Sequence, residues 1–221
     1  MGNESSAAMD TRDMIWVHNA FRRAFRDAPG QVASVHDGDV ERARYVAGYL
    51  AEVLWFLHAH HDAEDQLLYP LLVERAPETG ALFWRMETQH QVVAASIRSA
   101  EEAAERFGRS ASTPDGEALA AACSSLIDQA SDHLSEEEVE VLPVVSRTVT
   151  PEEWAALPAH TISGYSGTRV WLLLGLVIEA VPDDLRADMI GRLPPPVSEM
   201  WIGLGSDAFN SEMRSIRSAT G

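Results

Sequence analysis

Six side chains in this chain have the types and spacing to hold metal together. His60-His61-Asp62-Ala63-Glu64 is followed by Pro70, and His133-Leu134-Ser135-Glu136-Glu137 by Pro143, so each segment has a His, a Glu four residues on, and a Pro ten after the His. The duplication extends upstream, where His18 precedes His60 by 42 residues and His90 precedes His133 by 43. Imidazole mixed with carboxylate suits first-row metals such as iron, manganese or zinc, whereas calcium and magnesium want oxygen donors almost throughout. Carboxylates that can bridge favour a pair of ions over one.

The elements that must position these groups read as helices, with no convincing period-two stretch. Residues four apart on a helix share a face, so each His-Glu pair aims at one point. The apolar spacing predicts a first helix from Asp10 or Thr11 that carries His18 in its apolar stripe and stops before Pro29-Gly30. A second runs from about Asp39 to Glu74 with His60 and Glu64 facing inward, and Pro70 should kink it just past them. After Ala76-Pro77-Glu78 a third helix carries His90 and ends near Phe107-Gly108. A loop over Arg109 to Gly116 then leads to a fourth helix over about Glu117 to Arg147, with His133 and Glu137, and Pro143 mirrors Pro70. Four such helices bury their stripes best as an antiparallel up-down bundle, an all-α fold over residues 10–148.

A lone histidine on an apolar stripe is more often a hydrogen-bonded core residue than a ligand, and one His-Glu pair arises easily on a solvated face. The matched duplication argues otherwise, and so do Glu64 and Glu137. Two carboxylates near a bundle axis are costly to desolvate, and no Lys or Arg falls at a nearby inward position. A dication removes that cost.

The remaining composition narrows the function. The 34 acidic and 17 basic residues leave a net charge of −17, all the basic residues are arginine, and no basic cluster could neutralise phosphates, which argues against nucleic acid and anionic membranes as partners. The apolar run Val170 to Ile178 is short of the roughly 20 residues a membrane span needs. Cys123, the only cysteine, reads as a small apolar helix residue, and the polar, acidic residues 1–12 show no signal or transit pattern. A cytoplasmic protein is the resulting expectation.

With His61 beside His60, the segments HHDAEDQLLYP and HLSEEEVEVLP together with His18 and His90 resemble the hemerythrin-like HHE cation-binding family over about residues 10–147. The resemblance implies a four-helix bundle around two non-haem iron ions, with manganese and zinc accepting the same donors. It implies reactions with dioxygen, peroxide or nitric oxide, as an oxidoreductase, or else non-catalytic oxygen or iron binding and sensing. By the same likeness His18, His60, His90 and His133 are terminal ligands, and Glu64 and Glu137 span both ions. The family's oxygen carriers have a further His in a His-x-x-x-His pair on the third helix, where this chain has Met86 and Ala94 around His90. The expectation is an open position that favours chemistry over carriage. His61 could supply the fifth imidazole only with a distortion, since it lies about 100° around the helix from His60; a phenolate from Tyr45, Tyr49 or Tyr69 is equally open. Asp65 and Glu138, one residue after each carboxylate, read as solvated or as partners of the ligands. His36, His58 and His160 read as outside the site.

Residues 150–221 form a separate helical extension. Thr150-Pro151-Glu152-Glu153 opens a helix, a Gly/Ser break precedes the apolar helix, and Pro182 and Pro194-Pro195-Pro196 open later ones. It resembles extensions on some bacterial members of the family. Its apolar face packs over the bundle's open end, makes a homodimer contact, or shapes a substrate cavity.

Overall fold

The computed structural model describes residues 9–218, and these are helical apart from short connections. The first helix, α1, is Arg12–Ala33. It runs on through Pro29, five residues beyond the expected stop, because Gln31 and Val32 of that last turn are buried against the bundle. A short loop in which Gly38 takes the left-handed φ of 83° leads to α2, Val40–Ala63, where Asp39 caps the helix by accepting the Arg42 N–H at 3.0 Å.

At Glu64 the helix widens into a π-helical turn, Glu64–Leu68, before resuming as α3, Tyr69–Arg75. The Tyr69 N–H bonds to the Glu64 carbonyl, five residues back. Pro70 has no N–H to continue the α ladder, so the chain relaxes to the wider turn immediately before it. The expected kink therefore takes the form of a π turn starting at the carboxylate itself. After the 3₁₀ turn Pro77–Thr79 comes α4, Gly80–Ser110, then α5, Thr113–Glu136. The duplicate segment repeats the device: a π turn over Glu137–Val141 precedes α6, Leu142–Thr148, with the Leu142 N–H on the Glu137 carbonyl and Pro143 next in line.

The α4–α5 connection is much tighter than the eight-residue loop expected. Ala111 adopts a left-handed φ of 50° to end α4, and Ser112 caps α5 by accepting the Asp115 N–H, so Gly116 lies inside the helix. Asp37 of the first loop accepts the Thr113 N–H at 2.8 Å and pins the two connections together.

Buried apolar side chains form two clusters, and the direction of each helix follows from which it meets first. Helix α1 passes from Met14 in the smaller cluster to Phe21 and Phe25 in the larger, and α4 from Phe83 and Met86 to Val93 and Ile97. Helices α2 and α5 run the other way, from Leu57 towards Leu68 and from Leu126 towards Val141. The four are thus an antiparallel up-down bundle, and the histidines fall at the level between the two clusters.

The C-terminal helices are α7, Pro151–Ser163, α8, Val170–Ala180, α9, Asp183–Gly191, α10, Pro195–Met200, and α11, Ser206–Arg217, which follows a π turn over Trp201–Gly205. Thr150 and Glu153 form a reciprocal capping box at the start of α7. Helices α1 and α2 touch each other less than the other neighbouring pairs do, and α8 lies along α1 on that flank while α7 packs on α2. Leu172, Leu173 and Leu176 of α8, and Phe209 and Ile216 of α11, belong to the same apolar cluster as Phe21 and Leu54 of the bundle. The Trp154 indole N–H of α7 reaches the Asp13 carboxylate of α1 at 3.0 and 3.1 Å. Among the described residues no helix is long and apolar enough to cross a membrane.

Candidate metal centre

His18, His60, Glu64, His90, His133 and Glu137 converge between the two apolar clusters, and each is less than a tenth exposed. Their ligand atoms form two groups. His18, His60, Glu64 and Glu137 make one, and His61, Glu64, His90 and His133 the other, with the atoms of each within 4.8 Å of one another. Glu64 belongs to both, its Oε1 lying 3.2 Å from His60 Nε2 and its Oε2 3.5 Å from His90 Nε2. Glu137 also faces both ways, with Oε2 3.4 Å from His18 Nε2 and 3.8 Å from His133 Nε2.

His61 corrects the expectation of a missing imidazole. The residues around His90 are indeed Met86 and Ala94, yet the His61 ring stacks on His90 at 4.3 Å while His60 faces His18 at 5.3 Å. No distortion is needed at either residue, because α2 is regular through Ala63 and the two rings serve different groups. A 100° separation around the helix lets adjacent residues face the two different ligand groups. The Tyr45 ring lies elsewhere, near Arg42, and Tyr49 belongs to the larger apolar cluster. Tyr69 borders the site, stacked on His90 at 5.5 Å. His36 and His58 are exposed, and His160 is in neither ligand group.

Nδ1 partners set the orientation of three of the rings. His18 Nδ1 lies 2.8 Å from Glu138 Oε1, His90 Nδ1 2.8 Å from Asp65 Oδ1, and His133 Nδ1 3.0 Å from Gln89 Oε1. A carboxylate can only accept, so Asp65 and Glu138 fix the proton of their imidazole on Nδ1 and turn the Nε2 lone pair inward. Arg22 also donates to Glu138 Oε1, at 2.7 Å, and keeps it charged. The duplicated Glu-Asp and Glu-Glu steps thus each pair an inward carboxylate with a group that orients the His of another helix. Gln89, on the helical step before His90, carried no signal in the sequence beyond that adjacency.

The inward groups are short of partners. His18 Nε2, His60 Nε2, His61 Nε2 and both oxygens of Glu64 and of Glu137 are buried without a hydrogen bond among the described residues. His90 Nε2 and His133 Nε2 face each other at 3.0 Å, and with their protons held on Nδ1 both present lone pairs. Two nitrogens at about 2.1 Å from one cation and at right angles to each other sit about 3.0 Å apart, so this spacing fits two donors to one ion. Burial drives the protonation of His18, His60, His61 and His133 below the ordinary imidazole range. Burial and mutual repulsion push Glu64 above the usual carboxylate range, and burial and the charge of Glu138 do the same to Glu137. Neutral imidazoles beside buried carboxyl groups that no cationic side chain meets are a donor set for metal, and Cys123, buried in the larger apolar cluster with its thiol pushed up to about 12, is not part of it.

An all-α bundle with His and Glu donors from four helices defines a metal-binding helical protein. The hemerythrin HHE cation-binding domain profile matches residues 11–145, and the chain belongs to that family. The match runs from α1 into α6 and stops short of α7 to α11. Comparison with curated proteins and with solved structures gave no match.

Proposed function

We propose that the chain binds two non-haem iron ions and reacts with dioxygen or peroxide. In this reading His61, His90 and His133 serve one ion, His18 and His60 the other, and Glu64 and Glu137 lie between them. The observation that carries it is the pair of ligand groups sharing Glu64, with inward ring nitrogens and carboxylate oxygens that lack a hydrogen bond among the described residues. With Glu64 and Glu137 shared by both ions, the side of His18 and His60 has two imidazoles against three and so one protein ligand fewer, which leaves it more room for an outside ligand. This asymmetry replaces the missing third-helix histidine as the reason to expect reactivity. When bound, a ferrous pair supplies electrons to dioxygen or peroxide. The protein's own part is to hold the Nδ1 protons at Glu138, Asp65 and Gln89 and to keep the layer dry between two apolar clusters.

A second reading, reversible binding or sensing of oxygen or iron without turnover, draws on the closure of the site: His60 is its most exposed histidine, at 7%. Elemental analysis of anaerobically purified protein, followed by optical spectra under air, peroxide and nitric oxide, tests both. The expected result is about two irons per chain, lost when Glu64 and Glu137 are both replaced by Ala, with spectral changes on oxidant addition. Protein that holds no iron, or whose iron survives the double replacement, refutes the metal assignment. Bands that cycle with oxygen without consumption of peroxide select the second reading.

A further inference from the structure

Tyr69 is a buried hydroxyl at the centre for which the proposed function has no use. It is 6% exposed, begins α3, and is tied by its N–H to the carbonyl of Glu64. Its ring is sandwiched between His90, at 5.5 Å and 28°, and Phe83, at 6.0 Å and 22°. Its Oη lies against Glu137 without a hydrogen bond of good geometry. A phenol so placed touches a ring and a carboxylate of the ligand groups while water is excluded from it.

We propose that Tyr69 is a redox residue of the centre, yielding a hydrogen atom when hydrogen peroxide is reduced there; the proposal rests on the reading of the surrounding histidines and glutamates as iron ligands. Reduction of one peroxide breaks its O–O bond and takes two electrons. One would come from a ferrous ion held by the surrounding histidines and glutamates, leaving it ferric, and the other from Tyr69, whose O–H bond breaks to leave a neutral phenoxyl radical. The phenolic hydrogen and one proton from solvent join the two hydrogens of peroxide to complete two waters. Tyr69 suits the step because it loses a proton with its electron and adds no charge to an apolar surrounding, whereas loss of one electron from a thioether, such as that of Met14 or Met86 in the same cluster, leaves a radical cation.

The test mixes iron-loaded protein with hydrogen peroxide, freezes it within milliseconds and records electron paramagnetic resonance, with iron content and peroxide consumption measured on the same samples. The expected result is an organic radical whose hyperfine pattern collapses when the protein carries ring-deuterated tyrosine. It is lost in Tyr69→Phe at unchanged iron content and kept in Tyr49→Phe. A radical that persists in Tyr69→Phe overturns the proposal, as does wild-type protein that loads iron and consumes peroxide without a tyrosine radical. If Tyr69→Phe does not hold iron, peptide mapping of peroxide-treated wild type decides: hydroxylation at Tyr69 supports the role, and an unmodified Tyr69 overturns it. Wild-type protein that takes up no iron overturns the metal reading along with this one, and the iron measurement separates that outcome from the others.

Discussion

Removing the group that orients His18 gives a perturbation whose size follows from the geometry. Glu138 accepts from His18 Nδ1 at 2.8 Å and from Arg22 at 2.7 Å, and its side chain is 20% exposed; His18 is fully buried. Glu138→Gln keeps an acceptor oxygen but loses the charge that makes the bond about twice as strong as a neutral one, a loss of about 1 kcal/mol or roughly fivefold in metal affinity. Glu138→Ala leaves the buried Nδ1–H with nothing to meet, a loss of about 1–3 kcal/mol that lowers affinity by roughly 5- to 150-fold. Asp65 makes the equivalent 2.8 Å contact to His90 Nδ1, but its side chain is 37% exposed, so water can stand in and Asp65→Ala costs less. Anaerobic competition for ferrous iron against a chelator measures all three, with circular dichroism to confirm that the helices persist. Affinities within twofold of wild type, or an Asp65→Ala effect larger than that of Glu138→Ala, would refute the argument that these carboxylates hold the imidazoles in place.

Further outcomes follow from the packing and the protonation states. At Gly175 of α8 an added Cβ would fall 2.2 Å from the Phe209 ring of α11, so Gly175→Ala should destabilise by about 1–3 kcal/mol despite the better helix propensity of alanine, and should become stabilising in a Phe209→Ala background; chemical denaturation of the four proteins checks this. Four histidine values are depressed in the fold while the Glu64 and Glu137 values are raised, so below the ordinary imidazole value of 6.5 the unfolded chain takes up four histidine protons against the two that the folded carboxylates hold; metal-free protein should on balance lose stability between pH 6.5 and 5 in pH-dependent melting, and a profile that rises throughout that range would contradict burial of His18, His60, His61 and His133. Iron at about a hundred times its dissociation constant should raise stability by about 3 kcal/mol, visible as a higher melting temperature that a chelator reverses. Deleting residues 150–221 uncovers the bundle surface beneath Leu172, Leu173 and Leu176, and the truncated chain should aggregate or bind a hydrophobic dye; a soluble, equally stable monomer would show that this cluster is dispensable.

The primary sequence determined the all-α architecture, the four bundle helices and the six residues that meet in the polar layer. These depend on local periodicity: a stripe at every third or fourth position decides which face is buried, and a His-Glu pair one turn apart shares that face wherever the helix goes. The π turns were half legible, since Pro70 and Pro143 announced a broken ladder and the wider turn is how the backbone accommodates the missing N–H. Other features were decided by tertiary structure. His61 joins the site because its ring looks towards α4 while His60 looks towards α1, a division that depends on where the neighbouring helices stand. Asp65, Glu138 and Gln89 act across helix interfaces, over sequence separations of 25, 120 and 44 residues, that no local pattern encodes. Pro29 and Gly116 lie within helices against their intrinsic preferences, because burial of the turns around them outweighs a modest local cost. The placement of α8 beside α1 likewise came from the fit of one apolar surface to another, which composition foretells only as a need for cover and the packed structure alone resolves into a partner.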